Sequence, residues 1–201
     1  MRKLHDRFFK QAKREGRLAR SVYKLAELDQ REHLLRPGMA VLDSGSAPGS
    51  WLEHIVAAVG PQGAACAVDI KPIDKKFKKV PNVSFKMVDV RLLTGTEFIQ
   101  AAPDGFDVIV SDMAPNTTGI RITDQARSLE LCECALALAL RLLKPDGSFV
   151  CKIFSGPETE AFKNRAARHF RTARFRKPEA CREESFETYV VCRGFQKPAG
   201  E

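Results

Sequence analysis

The sequence contains no apolar run that approaches the roughly 20 residues needed to cross a bilayer. Residues 1–24 are basic, but they lack the apolar core and small-residue cleavage site of a secretory signal. They also contain acids and a single serine, whereas a mitochondrial presequence is rich in serine and poor in acids. No repeat, linker or low-complexity stretch divides the chain. We therefore expect no membrane partner, a mature cytoplasmic protein and a single domain over residues 1–201.

The six cysteines are scattered, with no C-x-x-C pair and no cluster with histidine. This spacing is unsuitable for a zinc site and does not indicate a disulfide framework. We expect reduced thiols that fill space in the core, and no bound metal. A chain of 201 residues with 44% apolar residues is long enough to build one packed α/β core.

The net charge of +8 is unevenly distributed along the chain. Residues 1–24 form a basic N-terminal arm with nine Lys or Arg and two acids, so the arm carries +7 of the net charge. Residues 71–79 hold five lysines and one aspartate, and residues 165–177 hold six Lys or Arg and no acid. A single basic run is usually a solvated face, but three runs that could converge predict a phosphate-binding surface.

Short β-rich runs alternate with helical patterns. Strands are predicted at residues 39–43, 64–69, 83–88, 106–111 and 148–154. Helices are predicted at residues 21–35, 51–59, 94–101, 123–143 and 158–169, with a short turn at 74–77; the first of them follows the basic arm. This alternation indicates an α/β fold with a mainly parallel sheet and helices on both faces. Two later strands, 172–176 and 186–192, bring the total to seven and have no helix between them, so the last strand should be antiparallel.

The first predicted strand ends in Asp43, and a loop of small residues then leads to Trp51 near the start of a helix. An acid at a strand's carboxyl end, a glycine-containing turn and a helix start form the arrangement by which open α/β sheets bind nucleoside cofactors. The loop lacks G-x-G-x-x-G spacing, and its proline removes an amide donor, which makes it unsuitable for a pyrophosphate. A tight turn without a ligand is the alternative. With Asp43 and Trp51, the expected cofactor contacts are Gly45, Ala47, Pro48 and Gly49.

Two further acids follow the next two strands. Asp69 ends the second strand, where a carboxylate can accept both hydroxyls of a ribose. Asp89 follows the third strand, where a carboxylate can accept an adenine amino group. Either acid alone could be a turn or cap residue. Together with Asp43 they place an acid at three successive strand ends, which indicates a ligand that contains a nucleoside.

A candidate catalytic pair lies on the fourth and fifth strands. Asp112 follows the fourth strand, and Lys152 lies within a fifth strand whose other residues are apolar. Lysine is almost never fully buried unless it is paired. Because ligands bind at the carboxyl ends of parallel strands, we expect Asp112 and Lys152 side by side at that edge. A purely structural ion pair is the alternative.

With these residues in place, the chain resembles the FtsJ/RrmJ (RlmE) family of ribose 2′-O-methyltransferases over about residues 8–197. The matching stretches are residues 13–16, 20–25, 34–38, 43–51, 111–116, 143–149, 152 and 185–191. This spaced combination is specific, whereas the glycine loop alone is not. The family's catalytic tetrad carries over onto Lys24, Asp112, Lys152 and Glu187. Its cofactor positions carry over onto Gly49, Trp51, Asp69, Asp89 and Asp112.

The resemblance implies a Rossmann-like, S-adenosylmethionine-dependent methyltransferase that acts on a ribose 2′-hydroxyl of RNA. The compact length is similar to the bacterial branch that modifies a uridine of 23S rRNA in the large ribosomal subunit, and we expect a monomer. The tRNA anticodon-loop branch shares the tetrad and is an alternative, as are a catalytically idle RNA-binding assembly factor and a small-molecule methyltransferase. The last of these leaves the basic arm unexplained. RNA contacts are expected from Lys10, Lys13, Arg14, Arg17, Arg20, Lys75 and Lys76.

Lys152 is the proton acceptor that we expect. A ribose hydroxyl is a weak nucleophile, so an enzyme must align it with the methyl group and remove its proton. Lys152 accepts a proton only when it is neutral. The Lys24 cation favours the neutral form, whereas Asp112 and Glu187 oppose it. In the alternative, Lys152 only orients the hydroxyl and the proton leaves to water.

Overall fold

The computed structural model describes residues 2–182 and 185–197, with side chains from residue 7 onward. Its centre is a seven-stranded sheet in the order β3-β2-β1-β4-β5-β7-β6. The strands are β1 (Ala40–Ser44), β2 (Ala64–Asp69), β3 (Val83–Met87), β4 (Phe106–Ser111), β5 (Leu143–Phe154), β6 (Phe170–Arg176) and β7 (Glu187–Phe195). β7 is antiparallel to both of its neighbours, and the other pairs are parallel. The prediction of a mainly parallel sheet with an antiparallel last strand is therefore confirmed.

Helices cover both faces of the sheet. They are α1 (Arg2–Arg14), α2 (Val22–Glu32), α3 (Ser50–Val59), α4 (Arg121–Leu142) and α5 (Thr159–Ala167), with 3₁₀ turns at Lys75–Lys79, Val90–Leu92 and Thr96–Phe98. α2 and α3 pack on one face, and α4 and α5 pack on the other. This is a Rossmann-like fold. None of the helices in the described ranges has the length and apolar character needed to span a membrane.

Successive side chains of the central strands point to opposite faces of the sheet and so contribute to both halves of the core. In β1, Val41 contributes to the core under α2 and α3, whereas Leu42 contributes to the core under α4 and α5. In β4, Val108 and Ile109 divide in the same way. All four side chains are buried, as expected for central strands that are covered on both faces. The carboxyl ends of these strands are thus held rigidly by packing on both sides.

The predicted helix at residues 94–101 is wrong. Only a single 3₁₀ turn forms there, over Thr96–Phe98. Gly95 has a left-handed φ of 101°, and the Glu97 carboxylate accepts hydrogen bonds from the backbone N–H groups of Thr94 and Gly95. The Glu97 hydrogen bonds resemble a helix cap, but the left-handed φ of Gly95 is not helical and Pro103 has no N–H to continue a helix, so only a short turn forms.

The helix predicted at residues 21–35 is α2, and the basic arm contains an additional helix, α1, that the pattern does not predict. The Glu15 carboxylate accepts hydrogen bonds from Gln11 Nε2, 2.9 Å away, and from the Tyr23 hydroxyl, 2.8 Å away. Phe8 also packs against the Tyr23 ring, with 5.7 Å between ring centroids. These contacts tie α1 to α2 across Gly16, and periodicity within the arm does not reveal them. The arm is therefore a short helix connected to α2, and not merely a lead into it.

A carboxylate fixes the loop between β4 and α4. Asp124 is buried and accepts hydrogen bonds from Thr118 N at 2.7 Å, Thr118 Oγ1 at 2.9 Å and Gly119 N at 3.2 Å. The hydrogen bond from the Thr118 backbone is the main cause that lowers the pKa of Asp124. The loop that follows Asp112 is consequently held against the first turn of α4.

Replacing Asp124 with alanine should loosen this loop, because the Thr118 and Gly119 amides lose their acceptor. We expect faster hydrogen exchange at these two amides at pH 7, with Glu130→Ala, an exposed acid on the same helix, as the unchanged control. Since the pKa of Asp124 is lowered on folding, its contribution to stability is present at neutral pH. It is lost as the pH falls below about 4 and through the lowered value. Unchanged exchange in Asp124→Ala would contradict the assignment.

Candidate active site

Lys152 and Asp112 meet at the carboxyl edge of the sheet. β4 and β5 pair in parallel with Ser111 opposite Cys151, so the next residues along the two strands are neighbours. Lys152 Nζ lies 3.1 Å from Asp112 Oδ1 and 2.5 Å from the Asp112 backbone oxygen. Lys152 is only 6% exposed. Two of the three donor positions of its ammonium group are therefore directed at one residue.

Lys24 and Glu187 form a second buried pair beside the first. Lys24 lies in the first turn of α2, Glu187 is the first residue of β7, and their Nζ and Oε1 atoms are 2.6 Å apart. The antiparallel register of β5 and β7 sets Lys152 opposite Tyr189 and thus brings Glu187 to the same edge. The structure thus brings together all four residues of the tetrad, as two lysines and two carboxylates with no net charge.

Tyr189 connects these groups, and the sequence interpretation did not include it. Its hydroxyl donates a 2.9 Å hydrogen bond to Asp112 Oδ1, the same oxygen that faces Lys152. Burial, and then the charge of Asp112, raises the pKa of Tyr189 well above its usual value, so the hydroxyl remains a donor. The alternation of Glu187 and Tyr189 on one face of β7 is the sequence signal that could have revealed it.

Trp51 contacts two of the segments that carry tetrad residues. Its indole Nε1 donates a 2.9 Å hydrogen bond to the backbone oxygen of Ser21, immediately before α2, and its ring lies 5.7 Å from that of Tyr189. The side chain is buried, with 2% exposed. In the structure, Trp51 therefore links the α2 segment that carries Lys24 to the strand that carries Glu187.

Two further side chains border the Lys24–Glu187 pair. Burial, followed by the charge of Glu187, raises the pKa of the Cys181 thiol to about 12, so this thiol stays protonated and is not a nucleophile. Arg20, one of the predicted RNA contacts, is partly buried and donates to the Ala180 backbone oxygen at 3.4 Å. It thus lies at the edge of the tetrad, unlike the exposed residues of the arm.

The loop after β1 encloses Asp43, which is fully buried and whose carboxylate oxygens both lack a hydrogen-bond partner among the described residues. Burial, and then the charges of Asp112 and Asp69, raises the pKa of Asp43 well above its usual value. Asp69 organises the loop, since its carboxylate accepts from the N–H of Ala47 at 2.8 Å and from that of Lys71 at 2.8 Å. Three acids thus lie close together at the ends of neighbouring strands.

Glycine is required at two positions in this loop. Gly49 has a φ of 112°, and a Cβ there would collide with the Phe77 ring. Gly45 has a φ of 80°, and a Cβ there would collide with Met113, the residue after Asp112. Pro48 lies between them and is exposed. The loop is therefore packed closely onto the strand ends that carry the acids.

Asp89 follows β3 but is already engaged. Its carboxylate pairs with Arg91 through both oxygens, with Arg91 Nε at 2.9 Å from Oδ1 and 3.1 Å from Oδ2. These side-chain hydrogen bonds lower the pKa of Asp89 to about 2. A ligand amino group that approaches Asp89 has to share this carboxylate with the Arg91 guanidinium.

The acids at the strand ends could hold a positively charged ligand that contains a nucleoside. The Asp43 carboxylate carries this fit because it is buried and unpartnered. Burial is the main cause of its raised pKa, and the charges of Asp112 and Asp69 add to it, so a nearby cation would favour its ionised form. Asp69 and Asp89 end or follow the adjacent strands β2 and β3, where the nucleoside part would lie. No group of three or more metal-ligating side chains occurs within the described ranges.

Two of the three basic runs converge on one residue of α3. Lys76 pairs with the Glu53 carboxylate, and the backbone N–H of Leu18, within the arm, donates to the same carboxylate at 3.3 Å. Leu18 of the arm and Lys76 of the segment after β2 therefore meet at Glu53. The predicted RNA contacts that are exposed are Lys10, Lys13, Arg14, Arg17, Lys75 and Lys76.

The third basic run, residues 165–177, does not form a single positively charged patch, because several of its arginines pair with acids. Arg165 pairs with Glu133, Arg171 with Asp146 and Arg176 with Glu32. These pairs are distributed over α5 and along the edge strand β6, from its amino end to its carboxyl end. Of the three basic runs, only the arm and residues 71–79 therefore contact a common residue, Glu53, within the part of the chain that the structure describes.

The strand order, the acids at successive strand ends and the buried tetrad together define a Rossmann-like methyltransferase. Comparison with known proteins gives the family: the FtsJ-like methyltransferase model matches residues 18–195, and the chain belongs to this family.

Relatives extend over almost the whole chain. A protein of Desulfatibacillum aliphaticivorans called "Ribosomal RNA large subunit methyltransferase E" is 46% identical over 97% of this chain and 92% of its own length. A protein of Nitratidesulfovibrio vulgaris with the same name is 47% identical over 98% of this chain and 97% of its own length.

Solved structures show the same fold. A Plasmodium falciparum protein named as a ribosomal RNA methyltransferase superposes with a TM-score of 0.77 at 25% identity, covering 88% of this chain and 97% of that one. The fibrillarin/Nop5p complex contains a chain that matches with a TM-score of 0.58 at 20% identity, covering 86% of this chain and 81% of that chain. The latter similarity concerns the fold alone.

Asp43→Asn should stabilise the protein while weakening its binding of a cationic ligand. Because the pKa of Asp43 is raised on folding, its contribution favours the folded state at low pH and is lost as the pH rises. Each unit of such a shift corresponds to about 1.4 kcal/mol, and each kcal/mol to about 2–4 °C in Tm for a chain of this length.

Thermal denaturation without ligand, at pH 4 and pH 7.5, measures this effect. We expect Asp43→Asn to have a higher Tm than the wild type at pH 7.5 and a smaller difference at pH 4. Asp104→Asn, which alters an exposed acid, is the control with no change. A lower Tm for Asp43→Asn at pH 7.5 would show that the carboxylate is not destabilising.

Proposed function

We propose that this protein transfers a methyl group from S-adenosylmethionine to a ribose 2′-hydroxyl of ribosomal RNA, at a uridine of 23S rRNA in the large subunit. The observation that carries the proposal is the buried double ion pair of Lys24–Glu187 and Lys152–Asp112 at the carboxyl edge of the sheet. The relatives named as large-subunit rRNA methyltransferases support the choice of substrate.

Lys152 is the residue that interacts directly with the substrate hydroxyl. Two donor positions of its side-chain nitrogen are directed at the Asp112 carboxylate and backbone oxygens. The remaining position is available to the 2′-oxygen of the ribose. In the charged state it donates an N–H to that oxygen, and in the neutral state its lone pair accepts the hydroxyl proton. Asp112 therefore orients the Lys152 side-chain nitrogen toward the ribose.

The other residues of the site position these groups. Lys24 and Glu187 neutralise each other, which permits a second lysine to be buried nearby without an uncompensated charge. Asp69 and Asp89 would hold the ribose and adenine of the cofactor, and Asp43 and Asp112 its positively charged end. When bound, S-adenosylmethionine supplies an electrophilic methyl group. Trp51 and Tyr189 hold the strands and helix that carry the tetrad at fixed separation.

Lys152→Ala should reduce kcat for methyl transfer to large ribosomal subunits by at least about 100-fold, since it removes the group that orients and deprotonates the hydroxyl. Binding of S-adenosylmethionine, measured by calorimetry, should stay close to that of the wild type. Lys144→Ala is a matched control, because Lys144 lies on the same strand and forms an ion pair with Asp107, 3.0 Å long, at the other end of the sheet. Wild-type turnover in Lys152→Ala would refute the proposed role.

The basic arm should bind phosphates, so RNA binding should weaken as salt is added. We expect the variant with Lys13→Ala, Arg14→Ala and Arg17→Ala to show a slope of log K against log salt that is smaller by about 2–3 than that of the wild type. Arg171→Ala, at the amino end of β6 and paired with Asp146, is the control. An unchanged slope in the triple variant would remove the arm from the RNA-binding surface.

A further inference from the structure

Two phenylalanine rings lie beside the tetrad and have no part in the chemistry described above. Phe154 is the last residue of β5, two residues after Lys152, and its cross-strand partner on β7 is Glu187. Phe186 immediately precedes Glu187. The two rings meet edge to face, with centroids 4.8 Å apart and planes inclined by 71°. Both side chains are only partly buried.

A guanidinium group accompanies this aromatic pair. The Arg121 Cζ atom lies 5.7 Å from the centroid of the Phe186 ring, within the range of a cation–π contact. Its two neighbours, Ile120 and Ile122, are 63% and 80% exposed. Single exposed apolar residues need no explanation, but here they border an arginine and a phenylalanine next to a catalytic centre.

Backbone hydrogen bonds hold the two rings in place. The N–H of Phe154 donates to Ser128 Oγ of α4 at 3.0 Å, and the N–H of Ser155 donates to the Phe186 oxygen at 2.7 Å. Gln125 Nε2, also on α4, donates to the Ser155 oxygen at 2.5 Å. The aromatic pair is thus fixed between α4 and the start of β7, and it does not need substrate in order to form.

The chemistry of the proposed substrate matches this surface. The carbon that bears the 2′-hydroxyl is bonded to the carbon that bears the nucleobase, so a ribose held at Lys152 confines its own base to the vicinity of the tetrad. Unpaired bases are bound in proteins by stacking on aromatic rings and on arginine guanidinium planes. Phe154, Phe186 and Arg121 provide both kinds of surface beside Glu187.

We propose that Phe186, supported edge-on by Phe154 and accompanied by Arg121, is a stacking platform for the nucleobase of the nucleotide that is methylated. This inference rests on the proposed function, because it requires a ribose at Lys152. A purely structural role, in which the two rings only close the end of the core, predicts the same fold but no effect on RNA.

The test uses large ribosomal subunits that lack the modification, the full-length enzyme and labelled S-adenosylmethionine. Phe186→Leu keeps an apolar contact with Phe154 but removes the aromatic face. We expect its KM for subunits to rise about 10-fold, which corresponds to about 1.4 kcal/mol and lies within the range for one stacked base. Its Tm and its affinity for S-adenosylmethionine should not change, and Phe186→Tyr should retain the wild-type KM.

Phe175→Leu is the matched control. Phe175 is also a partly buried ring with a cation over it, Lys163 Nζ at 5.0 Å from the centroid, but it lies on the edge strand β6. Its replacement should leave the KM for subunits unchanged. Ultraviolet crosslinking of the wild-type enzyme to subunits, followed by mass spectrometry, should give a nucleotide adduct on the peptide that contains Phe186 and none on the peptide that contains Phe175.

The outcomes separate the two proposals. If the wild-type enzyme methylates a ribose and Phe186→Leu has an unchanged KM with no adduct near residue 186, the platform is refuted and the proposed function stands. If the wild-type enzyme methylates no ribose in these subunits, the proposed function fails for this substrate and the platform fails with it. A raised KM in Phe186→Leu, restored in Phe186→Tyr, supports the platform.

Discussion

Two lysines are buried at the carboxyl edge of this sheet, and each is neutralised by a carboxylate from a distant part of the chain. A buried charge without a partner is costly, so each pair requires its two segments to remain together. The register of β5 and β7 meets that requirement, because Lys152 faces Tyr189 and Tyr189 donates to Asp112. Because the last strand is antiparallel, its first residue, Glu187, lies at the edge where the parallel strands end.

The same edge accumulates negative charge that the protein fold does not compensate. Asp43 is buried with unpartnered oxygens, and Asp69 and Asp112 are near enough to raise its pKa further. Such a cluster opposes stability, and in the proposed function it favours the positively charged methyl donor, so stability and cofactor binding would oppose each other at Asp43. Structural neighbours that share only the fold show the scaffold. In the proposed function, the particular acids and lysines on that scaffold define the chemistry.

Local pattern predicted the sheet, its acids and the direction of its last strand, since each depends on residues that are close in sequence. The tetrad could be predicted only in part from local pattern. Asp112 and Lys152 were predicted from their positions at the ends of strands, whereas Lys24 and Glu187 were predicted from the family resemblance. The role of Tyr189 and the contact between the Phe154 and Phe186 rings were missed because they depend on how the strands are brought together. The Asp89–Arg91 pair was missed because an exposed arginine two residues away gives no distinctive pattern. The helix predicted at 94–101 failed because Gly95 adopts a left-handed φ and Pro103 lies just beyond the segment, so the stretch forms only a short turn.

The central claim is that this arrangement of buried lysines and carboxylates acts on a ribose hydroxyl. The most direct measurement is the identity of the product: large ribosomal subunits are incubated with the enzyme and labelled S-adenosylmethionine, and the RNA is digested to nucleosides for mass spectrometry. The account predicts label in a 2′-O-methylated uridine at a single position of 23S rRNA. Label on a nucleobase, or no label in RNA of any kind, would contradict it.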